Sequence, residues 1–530
     1  MSGASAGDSM ADEPQPAKSG VLRPLSGTLL ALGTLSLSLA TFMNVLDSSI
    51  ANVSLPSIAG DLGVSPNQGT WVITSFGVAN AISVPLTGWL TQRFGAVRLF
   101  TLSVLLFVIT SWLCGLAGSF EMLIAARVLQ GLVAGPMIPL SQTLLLSSYP
   151  RERAGTALAL WGMTTLVAPV VGPLLGGWLT DFASWPWIFY INVPVGLLAA
   201  AVTWGIYRKR ETPVRKLPID TVGLSLLVLW VGAMQVMLDK GKELGWFESQ
   251  LIVILAVVAV VGFAVFVVWE LTDKHPVVDL RLFGRRNFTF GVITLSVAYG
   301  LFFGNVVLLP LWLQQYMGYT SIEAGMALAP VGLLAILLTP VVGKNVSRFD
   351  PRKMATGAFI GFAVVLWMRS QFNTQTDFTT IMLPTVLQGA AMAFFFIPLT
   401  TIVLAGIGPD RMPAAAGLSN FVRITAGAMG TSIATTLWES RAALHHAHLT
   451  ERFALGDPVT TEMLSGLSAA GFSREQALQQ VSRMIDQQAF TRAADDIFLG
   501  SAFVFLILIG AIWFTTRPGR VAAAQAGDAH

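Results

Sequence analysis

Apolar residues run along this chain in blocks of helix length, each closed by a charged or Pro/Gly-rich break. Runs of about 18 to 25 apolar residues are long enough to cross the hydrocarbon core of a bilayer as a helix. The pattern predicts about fourteen such helices, near 26–52, 68–90, 97–117, 120–146, 155–179, 186–207, 219–238, 250–271, 289–311, 322–343, 353–371, 379–405, 413–438 and 497–516. The expected fold class is therefore an all-α membrane protein. The first run is too long for a signal-peptide core and leads straight into the second, so it is expected to remain in the mature chain. Residues 1–25 are polar and rich in Ser, Ala, Pro and Asp, and read as a disordered cytoplasmic tail.

Composition changes this picture little: 54% of the residues are hydrophobic and 12% charged, against about 25% charged in soluble domains. Membrane lipid is the expected surrounding. The net charge of +3 does not call for nucleic acid, because the placement of the basic residues accounts for it. With the N-terminus in the cytoplasm, inner loops and tails hold most of the 32 lysines and arginines. Outer segments hold only Lys240, Lys242, Arg369, Arg441, Arg452, Arg474, Arg483 and Arg492. The positive-inside rule then puts both termini in the cytoplasm. The single cysteine, Cys114, lies in an apolar run and reads as a small core residue.

Few polar residues interrupt the spans. Asp47 is the one acid placed well inside a predicted span, where a carboxylate is costly without a role or a partner. Glu121, Asp220, Asp239, Glu270 and Glu323 fall near helix ends, where water or headgroups can solvate them. If protons drive a carrier, Asp47 is the best candidate to bind them; the alternative is a structural aspartate satisfied by Ser48, Ser49 or neighbouring helices. Arg127, in the fourth span, also needs a partner, either Asp47 or backbone carbonyls of a broken helix. Arg423 in the thirteenth is a weaker instance. In the fifth span, Gly172-Pro173-Leu-Leu-Gly176-Gly177 predicts a bend and close helix packing.

Between spans two and three the chain reads Gly88-Trp-Leu-Thr-Gln92-Arg93-Phe-Gly95-Ala-Val-Arg98. This loop is either a latch on the cytoplasmic helix ends or plain positive-inside signal. The outer segment 439–496 is expected to fold, with a capping box at Ser473–Gln476 and Leu478, Val481 and Ile485 on one helical face. That face covers the ends of spans or docks a partner. His445, His446 and His448 are read as solvated rather than metal-binding, and no metal or other cofactor is expected. No phosphate-loop motif is present, so an ion gradient or the substrate's own gradient must supply the energy.

In this order the motifs resemble the EmrB/QacA family of fourteen-span drug and proton antiporters of the major facilitator superfamily. Leu46 to Pro56 resembles its first-span signature, Gly88 to Arg98 its loop motif, Arg127 to Gly131 its fourth-span motif, Gly172 to Gly177 its antiporter motif, and Trp187 to Pro194 the signature opening span six. Gly69 to Asn80, Trp269 to Asp273 and Phe396 to Thr401 add to the likeness. One position departs: the loop motif usually has an acid before its arginine, and here Gln92 stands there.

The resemblance implies a major facilitator fold with two pseudo-symmetric six-helix halves, 26–207 and 289–516, a linker with two extra helices at 208–288, and a short cytoplasmic tail at 517–530. It implies proton coupling at Asp47 and Arg127, and gating by Gly88, Gln92, Arg93, Gly95, Arg98, Gly172, Pro173, Gly176 and Gly177. A central cavity follows, with Asn44, Trp71, Phe302, Phe303, Asn305, Gln388, Phe394 and Phe395 as candidate contacts for lipophilic drugs. It also implies a bacterial inner-membrane location and, as partners, a periplasmic membrane-fusion adaptor and an outer-membrane channel. Two other readings are a nutrient or metabolite carrier of the same fold and a membrane-embedded transferase using the outer histidines.

Overall fold

The computed structural model describes residues 24–215, 218–346, 348–452 and 458–518, so nearly all of both expected tails lies outside the described residues. The described residues are helical, without strands. The long helices are α1 (Gly27–Asp61), α2 (Trp71–Phe94), α3 (Ala96–Gly115), α4 (Phe120–Ser148), α5 (Ala154–Phe182), α6 (Trp187–Arg210), α7 (Thr221–Lys240) and α8 (Gln250–Thr272). They continue with α9 (Arg286–Gln315), α10 (Ser321–Asn345), α11 (Pro351–Arg369), α12 (Phe378–Val403), α13 (Met412–Arg452) and α14 (Arg474–Trp513).

Among the described residues, 11 helices are long and apolar enough to cross a membrane, and the chain is a multi-pass membrane protein. α5, α11 and α13 fall outside that set. In α11, Arg352, Lys353 and Arg369 dilute the apolar run; in α13, Asn420, Arg423 and a polar continuation do so. α8 is the least embedded, with only 22% of its most apolar window buried. Val257, Val260 and Val268 stand exposed on it, as expected of a helix whose surroundings are hydrocarbon.

Three boundaries differ from the pattern. α1 runs on to Asp61, which puts Asp47 near its middle rather than close to its end. α13 and α14 extend through much of the segment expected to be an outer loop, with a short helix, Pro458–Ala469, between them. Apolar runs mark only the part of a helix that lipid surrounds, and these helices continue beyond it on polar residues. The capping box forms as expected, Gln476 N donating to Ser473 Oγ at 3.2 Å and Ser473 N to Gln476 Oε1 at 2.9 Å. The buried face behind it is Ala477, Val481 and Ile485, while Leu478 points outward.

α1 to α6 pack on one another, as do α9 to α14, and α7 and α8 pair together with α7 against α2. The two groups meet where α13 lies on α2 and α4 and where α5 lies on α10. Small residues permit the approach: a side-chain carbon on Gly88 would fall 2.6 Å from Ala414 Cβ, and one on Gly155 would fall 2.4 Å from Gly343 O. Arg93, Arg98, Arg348 and Arg411 lie in the chain stretches next to these contacts, which makes this the basic end of the seam.

One acidic placement needs correction. Glu270 is not solvated at its helix end: it is fully buried, accepting a hydrogen bond from Val278 N at 3.1 Å, beside Asp220, which takes one from Trp269 Nε1 at 2.9 Å. Arg369, the last residue of α11, is likewise fully buried, packed against α12.

Candidate functional site

Asp47 and Arg127 meet inside the first group. α1 presents Asp47 and α4 presents Arg127, with Arg127 Nη1 donating to Asp47 Oδ2 at 2.5 Å, both side chains shut off from solvent. The other carboxylate oxygen accepts from Gln130 Nε2 and from Asn192 Nδ2, each at 3.0 Å. Gln130 stands nearly one helical turn after Arg127 and also accepts from it at 2.7 Å, so the motif spacing puts both on one face of α4. Arg127 Nε donates to Val72 O at 2.9 Å, and the guanidinium lies 4.3 Å from the Phe76 ring. Of the two partners left open by the sequence, Arg127 takes the carboxylate; the carbonyl it also reaches, Val72 O, belongs to the first turn of α2 and not to a broken helix. Cys114 is buried as expected and directs its thiol at Gln130.

The glycines of α5 press on the turn of α1 just past Asp47. A side-chain carbon on Gly172 would lie 2.5 Å from Ser49 Oγ, and one on Gly176 would lie 2.9 Å from Ile50 Cγ1; Gly177 faces open space. Pro173 lies in the same helix.

The loop between α2 and α3 is built around an acid from elsewhere. Glu211, just past α6, accepts from Val97 N and Arg98 N, each at 2.9 Å, capping the start of α3, and Arg98 Nε stands 3.9 Å away. Gly95, at φ +87°, leaves the room the carboxylate occupies, since a side-chain carbon there would fall 2.5 Å from it. Gln92 contributes its backbone carbonyl, accepting from Arg215 N at 2.7 Å, and Arg93 lies over the Trp89 ring. Glu211 carries no motif signal; it sits in a polar stretch that reads as linker.

At the seam, Gln142 of α4, Trp161 of α5, Phe396 and Thr400 of α12, and Asn420 and Arg423 of α13 surround a small space. Asn420 Nδ2 donates across it to Gln142 Oε1 at 3.1 Å.

The candidate substrate contacts do not assemble there. Asn44 donates to Ala134 O at 3.0 Å, tying α1 to α4. Trp71 opens α2, its ring 5.7 Å from Lys240 Nζ. Phe302 and Phe395 each meet Phe362 edge to face inside the second group, and Phe303 rests on Tyr299. Asn305 ties α9 to α14 through Ser501 Oγ at 3.1 Å. Gln388 accepts from Arg369 Nη2 at 2.7 Å. Phe394 faces a cavity of about 290 Å³ between α11 and α12. The aromatic that does reach the seam is Phe396, 5.5 Å from Trp161. Two of the histidines expected to be solvated pair with acids: His445 with Asp496 at 2.9 Å and His446 with Asp486 at 3.4 Å, joining α13 to α14.

A buried ion pair joins α1 to α4 inside an apolar bundle whose two helix groups meet at the basic end, the layout of a polytopic membrane protein. The Major Facilitator Superfamily pattern matches residues 37–431. The multidrug export protein EmrB of Escherichia coli K12 is 51% identical over 96% of this chain and 99% of its own. The fatty acid resistance protein FarB of Neisseria gonorrhoeae is 47% identical over 93% and 98%. The proton:xylose symporter XylE shares the fold at TM-score 0.55, with 15% identity, over 91% of this chain and 96% of its own. The chain belongs to the major facilitator superfamily and, within it, to the family of the EmrB multidrug export proteins. It is a transporter.

Proposed function

We propose that this chain exports lipophilic and amphiphilic drugs in exchange for protons by alternating access. The observation that carries this reading is the buried cluster of Asp47, Arg127, Gln130 and Asn192, which ties α1, α4 and α6 through one carboxylate. A proton on Asp47 removes the charge that Arg127 faces, leaving the guanidinium to Val72 O, Gln130 and the Phe76 ring. α1 and α4 are then free to repack, and the Gly172 and Gly176 contacts carry that change into α5. Substrate favours the opposite orientation of the cavity. The names of the relatives support drugs as cargo.

All fourteen long helices cross the bacterial inner membrane in this reading, as halves 26–207 and 289–516 around the extra pair in 208–288. The basic end faces the cytoplasm, supported by the bias of lysine and arginine. The far parts of α13 and α14, with the short helix between them, then project into the periplasm. There they serve a membrane-fusion adaptor and an outer-membrane channel, making the chain the inner-membrane component of a tripartite system. Proteoliposomes loaded with ethidium and given a pH gradient test the coupling. An Asp47→Asn chain, inserted in normal amounts, is expected to lose gradient-driven dye movement; undiminished movement would overturn the reading.

A further inference from the structure

Two arginines of the second group lie buried without a carboxylate. Among the described residues, no ion pair includes Arg369 or Arg423, whereas Arg127 is neutralised by Asp47. Arg369 is enclosed by α11 and α12, donating to Thr385 and Gln388. Arg423 differs because it faces the seam. It is 4% exposed; its Nη2 donates to Asn420 Oδ1 at 2.6 Å, and its guanidinium carbon lies 4.7 Å from the Tyr299 ring and 4.9 Å from the Phe396 ring. An uncompensated cation in the apolar interior marks a functional site. Thr400 lines the same space, and its buried hydroxyl has no hydrogen-bond partner. Trp161, Phe396, Leu295 and Leu404 supply apolar walls.

We propose that Arg423, with Thr400 and Asn420, forms a subsite for the anionic head of an amphiphile, a lipophilic carboxylate or phenolate. The inference rests on the export reading and names a substrate class for it. A guanidinium and a hydroxyl give an anion charge-assisted and neutral hydrogen bonds, while its apolar body lies on Trp161 and Phe396. The space here is only about 10 Å³, room for about one water, so the head enters when the seam parts. Loading and parting are linked through Asn420, which accepts from Arg423 and donates across the seam to Gln142. An anion on Arg423 competes with the Asn420 carbonyl and so loosens that bridge.

Equilibrium binding to the full chain in lipid nanodiscs tests this without requiring transport. The probes are 11-(dansylamino)undecanoate and a dansylated trimethylammonium of equal chain length. The unaltered chain should bind the anion more tightly. Arg423→Gln should lower the anion-to-cation affinity ratio by at least about tenfold, the loss of a hydrogen bond to a charged group. Arg423→Lys should lower it less, and Thr400→Val by about threefold to fivefold. An unmoved ratio in Arg423→Gln, or equal losses for both probes, overturns the subsite. Should that variant not fold, an unmoved ratio in both Arg423→Lys and Thr400→Val does the same. Absence of any preference for the anion in the unaltered chain also overturns it. Selective binding without gradient-driven movement of either probe instead sinks the export reading and leaves the subsite standing.

Discussion

Taking Asp47 and Arg127 out of water costs several kcal/mol per ion, and each charge is tolerable only while the other is present. Asp47→Asn alone strands the guanidinium, and Arg127→Gln alone strands the carboxylate; each should destabilise the protein by about 3 to 5 kcal/mol. The double variant strands neither, so it is expected to melt at a higher temperature than either single variant in detergent. Melting at or below the worse single variant would mean that the pair contributes nothing beyond two separate residues. The carboxylate and arginine were legible in the sequence because isolated charges in apolar runs stand out. Asn192 was harder to see: it lies in the span-six signature, yet an amide near the start of a span carries no such penalty. Side-chain direction was less legible still. Phe394 and Phe395 were expected at the cavity, but successive helical residues differ by about 100°, and it is Phe396 that meets Trp161 and Arg423.

Helix ends carry the next set of consequences. α3 starts at a glycine with positive φ and takes its cap from Glu211, distant in sequence, so helices α3 and α6 are pinned together at the basic end. An anion at a helix N-terminus is favoured by the free N–H groups and the helix dipole. Glu211→Gln keeps the shape and loses the charge, which should cost about 0.5 to 2 kcal/mol, read as a lower melting temperature in detergent. Gly95→Ala should cost more, since it combines left-handed strain with a clash against the same carboxylate. If both variants melt like the parent, Glu211 is not the cap that secures the loop. Glu211 brings an acid to this loop from a stretch that no local motif marks. Helix extents show the same limit. The apolar pattern located α1, α13 and α14, but their polar continuations are held by contacts between helices, such as His445 with Asp496 and Trp438 with Phe490, rather than by hydropathy.

Across the whole molecule, the two groups are held at the basic end by contacts that tolerate no added volume. Gly88 lies on Ala414, Gly417 on Val84 and Thr87, and Gly155 on Gly343 and Val346, so the seam is closed there by backbone approach rather than by long side chains. Such an interface is two-state: it fits at full approach or not at all. A wedge placed in it should shift the balance of orientations rather than merely loosen the protein. Gly88→Leu would place its side chain against Ala414, and overpacking of this kind costs about 1 to 3 kcal/mol. That cost falls only on the orientation closed at the basic end, so the ratio of the two orientations should move by about 5- to 150-fold. Spin labels at Phe94→Cys and Phe349→Cys, both exposed at that end, with Cys114→Ser to remove the native thiol, report it. Their distance distribution is expected to shift to longer separations in Gly88→Leu, with gradient-driven ethidium movement reduced in parallel. An unchanged distance distribution together with unchanged dye movement would show that closure at the Gly88 seam does not limit the transport cycle.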